Sequence, residues 1–182
     1  LATRAPVSWP TQPELEWCPP GRADIYYALQ TTGLLDKLLA GGFRYAFVSN
    51  ADNLGALLHL GILGHIASHN VPFLMEVTAR TECDRKGGHL GRDAATGRLL
   101  LRESAQCPPD ETEDFQDITK FSLFNTNNLW LDLAALREML RAADGLPQLP
   151  LIVNRKTVDP VRSDSPAVVQ LEAAMGSAIS CF

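Results

Sequence analysis

Apolar positions repeat along this chain with two distinct periods. Ile25, Ala28 and Leu29, then Leu34, Leu35, Leu38 and Leu39, fall on the helical period and predict a helix from Asp24 to about Ala40. Asp24 is expected to cap its start, Gly33 to be able to divide it, and Gly41-Gly42 to end it. Residues 43–49 (FRYAFVS) are aromatic and β-branched and predict a buried strand. The polar turn 50–53 follows, then an apolar helical stretch from Leu54 to about His69. Residues 71–80 predict a second strand, with Phe73, Met75 and Val77 alternating. This strand–helix–strand spacing is that of a βαβ unit, so the two strands are expected to be parallel neighbours.

The second half is more broken. Turn signals at 86–88, 91 and 95–97, with a strand at 98–103, predict antiparallel hairpins inserted into the sheet. Residues 107–117 are acidic and contain proline, which predicts a solvated loop. A strand at 121–124 is expected to run into a polar loop, Asn125-Thr126-Asn127-Asn128, and then a helix over 129–142. A short strand at 149–153, a charged loop at 155–165 and a helix over 168–179 complete the prediction. Residues 1–22 predict a loop, because Pro19-Pro20-Gly21 interrupts regular hydrogen bonding. The class implied is α/β, with a mixed, mainly parallel sheet and an inserted antiparallel hairpin.

Composition narrows the functional classes. The 182 residues are 46% hydrophobic and 20% charged, enough to pack a core. A net charge of −5 opposes a nucleic-acid surface, and no apolar run is long enough to cross a bilayer. The four cysteines, Cys18, Cys83, Cys107 and Cys181, form no CxxC pair, so free thiols in a cytoplasmic protein are expected. Leu at position 1 and the apolar pattern running up to Phe182 lead us to expect an internal piece of a longer polypeptide.

Several clusters could carry chemistry. Residues 49–53 (SNADN) lie between a strand end and a helix start, where open α/β sheets bind ligands and helix N–H groups attract anions. Asp52 there could hold Mg²⁺, or the turn could simply cap the helix. The amides of 125–128 suit sugar hydroxyls, and equally suit a loop with a cap. Lys86-Gly87-Gly88 with Glu103 could admit a hydroxylated ligand or be a plain turn, and Asn154-Arg155-Lys156 could meet phosphate or be solvated. His65 and His69 have two-histidine metal spacing, but the HExxH glutamate is absent. There is no GxGxxG and no P-loop.

Taken together and in order, these segments resemble the UDP-glucose pyrophosphorylases, the UTP–glucose-1-phosphate uridylyltransferase family. The resemblance is carried by WCPPG (17–21), FVSNADNLGA (47–56), DRKGG (84–88), ESAQ (103–106), ITKFSLFNTNNLW (118–130), PLIVNRK (150–156) and VQLEAAMG (169–176). It implies a Rossmann-like nucleotidyltransferase core, of which residues 1–182 are part of the catalytic domain. The implied reaction joins UTP and glucose 1-phosphate into UDP-glucose and pyrophosphate, with Mg²⁺. By the same resemblance, Asp52 and Arg22 would be catalytic, with Asp52 the metal ligand. Gly21 and Asn50 would border the nucleoside, and Gly87, Gly88, Glu103, Asn125 and Asn127 would face the sugar. Two departures stand out. Relatives carry Gly-His-Gly-Asp where this chain has Gly21-Arg22-Ala23-Asp24, and the family's glycine-rich triphosphate loop and later catalytic lysine are not among these residues. A degenerate UDP-sugar-binding module, or a pyrophosphorylase for another sugar 1-phosphate, are the alternative expectations.

Overall fold

The computed structural model describes residues 5–182. The first four residues of the expected N-terminal loop lie outside it.

Leu129, Trp130 and Leu131 are consecutive and all buried. A run buried on both faces belongs in the middle of a sheet, and it forms the second half of β5 (Leu123–Asp132), the central strand. Strand β1 (Tyr45–Val48) pairs antiparallel with residues 129–132 of β5. Strand β2 (Phe73–Ala79) pairs antiparallel along nearly all of β5, from Phe73↔Leu131 to Ala79↔Leu123. Strands β3 (His89–Arg92) and β4 (Leu99–Arg102) form the expected hairpin, joined to β5 at His89↔Phe124. Strands β6 (Leu151–Thr157) and β7 (Ala167–Ala173) form a separate two-stranded antiparallel sheet.

Every strand pairing among the described residues is therefore antiparallel. This corrects the expected mainly parallel sheet. Strands β1 and β2 do point the same way, since both oppose β5, but β5 lies between them. The βαβ spacing fixed their direction and not their adjacency.

Helix α1 (Asp24–Thr31) and helix α2 (Leu34–Ala40) are the expected helix, split at Gly33, whose φ of 69° is left-handed. Asp24 is the first helical residue rather than a cap. Helix α3 (Leu60–His69) is shorter than expected, because residues 50–59 remain irregular. The short helix α4 (Thr112–Phe115) falls within the expected acidic loop and buries Phe115. Helix α5 (Leu133–Ala142) starts where the Asp132 side chain accepts hydrogen bonds from Ala134 N (2.9 Å) and Ala135 N (3.0 Å). Its Leu133, Leu136 and Leu140 join Met75, Leu129, Leu131 and Tyr26 in the core. The expected helix over 168–179 is instead strand β7 followed by a 3-10 turn, Met175–Cys181.

Two features place the site. The first is a backbone clamp between the proline-rich loop and β7. Ala173 N donates to Pro20 O (3.1 Å), and Ala23 N donates to Ala173 O (3.0 Å). Gly21 sits over this clamp with φ 94°, and a β-carbon on it would lie 2.7 Å from both Ala173 N and Ala173 O. Tyr26, in the first turn of α1, donates its hydroxyl to Met175 O at 2.6 Å. Its burial holds the phenol well above its ordinary pKa.

The second feature is a bulge in β5. Glu76 pairs with Asn128 and its neighbour Val77 with Asn125, so Thr126 and Asn127 have no partner on β2 and loop out. Asn127 takes φ 60°. It is held there by Asn125, whose Oδ1 accepts Asn127 N (2.9 Å) and whose Nδ2 donates to Asn127 Oδ1 (3.0 Å). Asparagine tolerates the left-handed region better than most residues and can bond its own backbone.

Candidate functional site

Two clefts meet at Arg22 and Met175. The larger, of about 410 Å³, is bounded by Arg22, Ile25 and the turn from Val48 to Asp52. The smaller, of about 250 Å³, is bounded by Arg22, Glu103, Asn127, Asn154 and Glu172. The loop–β7 clamp holds the backbone of Arg22 between them, and its guanidinium is exposed to solvent.

The first cleft lies beyond the carboxyl end of β1, as the strand–turn–helix order implies. Ser49, Asn50 and Asp52 all line it. Asp52 is exposed, and its carboxylate makes no hydrogen bond or ion pair among the described residues. Helix α3 begins only at Leu60, capped by His59 Nδ1 accepting Gly61 N at 3.2 Å, so its N-terminus is not part of this turn.

The second cleft is polar, and of the residues expected at the sugar Glu103 and Asn127 line it. Glu103 is half-buried, and that burial raises its carboxyl pKa against the opposing pull of Arg22. Its carboxylate packs on Gly88, where an added β-carbon would come within 2.7–2.8 Å of the carboxylate atoms. Asn127 reaches the cleft through the bulge. Gly87 and Asn125, expected to face a sugar, do not line either cleft. Gly87 is packed on the Phe124 ring, where a β-carbon would sit 2.1 Å from a ring carbon. Asn125 is buried and orients Asn127 instead.

Sequence reasoning misplaced one residue at the clefts and missed two others. Asn154 was expected at a strand end and lies mid-strand in β6, lining the second cleft, while Arg155 and Lys156 face solvent. Glu172 on β7 opposes it in the same cleft, in a segment expected to be helical. Glu76 ties the two clefts together. Its carboxylate accepts Trp130 Nε1 (2.6 Å) and Asn128 Nδ2 (3.2 Å), and Asn128 Oδ1 accepts Asn53 Nδ2 (3.2 Å). The Trp130 indole was the available signal, since a buried N–H needs an acceptor.

His65 and His69 stand side by side on α3 with ring centroids 4.3 Å apart. Among the described residues no group of three or more His, Cys, Asp or Glu could hold a metal ion. The four cysteines are free, and no helix among the described residues is long and apolar enough to cross a membrane.

A cationic Arg22 between one cleft with a free carboxylate and another lined by amides and acids is a frame for a ligand that is phosphorylated at one end and hydroxylated at the other. Residues 2–182 match the family described as UTP–glucose-1-phosphate uridylyltransferase, and the chain belongs to that family. It is 41% identical over 180 residues to the Encephalitozoon cuniculi UTP–glucose-1-phosphate uridylyltransferase, covering 99% of this chain and 35% of that protein. It is 44% identical over 166 residues to the Solanum tuberosum enzyme of the same name, covering 91% and 33%. The chain thus spans about a third of the length of these curated relatives. The fold matches a Trypanosoma brucei UDP-glucose phosphorylase structure with a TM-score of 0.93 and 48% identity, over 97% of this chain and 38% of that one. A variant of the Leishmania major UDP-glucose pyrophosphorylase, solved in complex with UDP-glucose, matches with a TM-score of 0.90 and 49% identity, over 97% and 39%.

Proposed function

We propose that this chain forms the UDP-glucose side of a uridylyltransferase site that joins UTP and glucose 1-phosphate into UDP-glucose and pyrophosphate. The observation that carries this reading is the pair of clefts meeting at Arg22. The 49–52 turn would border the uridylyl group, and Glu103, Asn127 and Asn154 would meet the glucose. Arg22 would lie over the phosphates between them. An arginine there offers a fixed charge and several donors, so it can replace a histidine as a phosphate contact while changing the geometry.

Nucleotidyl transfer asks little covalent chemistry of a protein. The sugar phosphate oxygen attacks the α-phosphorus and pyrophosphate leaves, so alignment and charge neutralisation supply the acceleration. Asp52 would hold Mg²⁺, and its free carboxylate at the first cleft fits a cation that binds through one or two carboxylates. When bound, Mg²⁺ offsets phosphate charge. Arg22 adds a second positive charge beside the phosphates. A Rossmann-like core and a cytoplasmic setting belong to the same reading, the latter supported by the exposed thiols of Cys18 and Cys83.

The glycine-rich triphosphate loop implied for the family is not among these residues. Titration calorimetry of the 182-residue chain should therefore show Mg²⁺-dependent UDP-glucose binding, lost in Asp52→Ala. The same chain should release no pyrophosphate from UTP and glucose 1-phosphate. Absence of UDP-glucose binding, or binding indifferent to Asp52, would overturn the assignment.

A further inference from the structure

The chain of contacts through Glu76 has a direction that is fixed at both ends. An ionised carboxylate only accepts hydrogen bonds, and a backbone N–H only donates. At one end, Glu76 accepts the Trp130 indole N–H and the Asn128 amide N–H. Asn128 is thereby turned with its carbonyl toward Asn53, whose Nδ2 donates to it. Asn53 is in turn left with its own carbonyl facing Gly55 N, which donates to it at 3.1 Å. Each link of this path pairs a donor with an acceptor, and neither amide can rotate without facing donor against donor. The main-chain oxygen of Glu76 also accepts the Thr126 hydroxyl at 2.7 Å, and Thr126 Oγ1 accepts Asn128 N at 3.3 Å. The same residue therefore anchors the bulge.

We propose that Glu76 is a positioning residue whose carboxylate fixes the polarity of an amide relay, Asn128 to Asn53 to Gly55 N, and so holds the turn of one cleft and the bulge of the other as one rigid unit. This deepens the UDP-sugar reading of the site and rests on it for the ligand. It gives the polar wording of 125–128 a second purpose: Asn127 is presented outward, while Asn128, next to it, is buried and locks the backbone from behind.

The relay can be broken and restored without changing side-chain size. In Glu76→Gln the new amide presents one donor into a position that required only acceptors. Either Trp130 Nε1 loses its acceptor, or Asn128 must rotate, which forces Asn53 to rotate and leaves Gly55 N–H unpaired. Adding Asn128→Asp moves the negative charge one link along. The amide at 76 then accepts from Trp130 and donates to the carboxylate at 128, which still accepts from Asn53. A packing role for Glu76 predicts no such compensation, because both exchanges are isosteric.

The test compares the unaltered chain, Glu76→Gln, Asn128→Asp and the double variant by amide NMR and by titration with UDP-glucose and Mg²⁺. In Glu76→Gln either the Trp130 indole N–H loses protection or the Gly55 amide resonance shifts, and affinity falls about tenfold, the size of one lost hydrogen bond within the unit. The double variant returns these signals and brings affinity to within about threefold of the start, by the same reckoning. The proposal is overturned if neither the Trp130 indole nor the Gly55 amide responds in Glu76→Gln, or if the double variant is as impaired as the singles. If the unaltered chain binds no UDP-glucose, the sugar-nucleotide reading fails, and the Gly55 and Trp130 signals still decide the relay.

Discussion

The carboxylate of Glu103 lies where a side chain on Gly88 would have to go. A β-carbon there would come within 2.7 Å of Oε1 and 2.8 Å of Oε2. The glycine is selected by its neighbour rather than by its own backbone, since its φ is not in the left-handed region. Gly88→Ala should therefore push Glu103 aside at a stability cost below about 1 kcal/mol, because the obstacle is the movable end of a side chain. Affinity for UDP-glucose should fall about tenfold or more, since a misplaced polar group loses its hydrogen bond. Parallel denaturation and binding titrations separate the two effects.

Gly21→Ala should behave in the opposite way. Here a β-carbon meets Ala173 backbone atoms at 2.7 Å, and φ is 94°. Neither obstacle can move cheaply, and the loop–β7 clamp must open. We expect a loss of about 2–3 kcal/mol, from strain and the broken backbone pair together. Urea unfolding of the variant measures it directly.

His89 should make the fold acid-sensitive. It is fully buried, stacks on Phe121 (4.2 Å) with the tilted Phe115 ring 4.4 Å away, and has no hydrogen-bond partner for either ring nitrogen. Burial, then the charges of Arg80 and Arg102, depress its pKa from 6.5 to about 4, with Asp114 opposing. Between those values the unfolded chain binds the proton and the folded one does not, so stability falls as pH drops through this window. The shift corresponds to about 2 kcal/mol lost between pH 7 and pH 5. His89→Phe should flatten that part of a stability–pH curve measured by urea midpoints. An unchanged slope would show that the histidine does not remain neutral in the fold.

Glu103 should act with the opposite sign. Its pKa is raised by burial, so the folded state keeps its proton at pH values where the unfolded state has released it. The native fold therefore loses stability as pH rises from the ordinary glutamate value of 4.5 up to the raised one. Glu103→Gln should remove this decline. The difference between variant and unaltered stability should grow with pH across that window and then level off.

Local order in the sequence was a good guide where a segment made its own structure. The division of α1 from α2 was visible in Gly33, and the β3–β4 hairpin in its turn glycines. It failed where a partner decides. Residues 125–128 look like a polar loop, but each amide has a specific place: Asn125 holds Asn127, Asn128 meets Glu76, and the strand continues on either side. Residues 167–173 contain good helix formers, and only pairing with β6, Leu151↔Ala173 through Thr157↔Ala167, makes them a strand. Asp52 and Glu103, which line the two clefts, stood out in the sequence because each is a carboxylate near a turn. Glu76 was missed because it sits mid-strand in an alternating pattern, and its partners come from residues far along the chain.

The place of β5 has a consequence for how the chain is made. Among the described residues, β1 and β2 hydrogen-bond to no strand but β5. Both are synthesised well before it, and on a ribosome adding about 5–20 residues per second they wait several seconds for their partner. During that time their apolar edges are open to other nascent chains. Residues 123–132 thus close, in one step, the inner edges of both waiting strands.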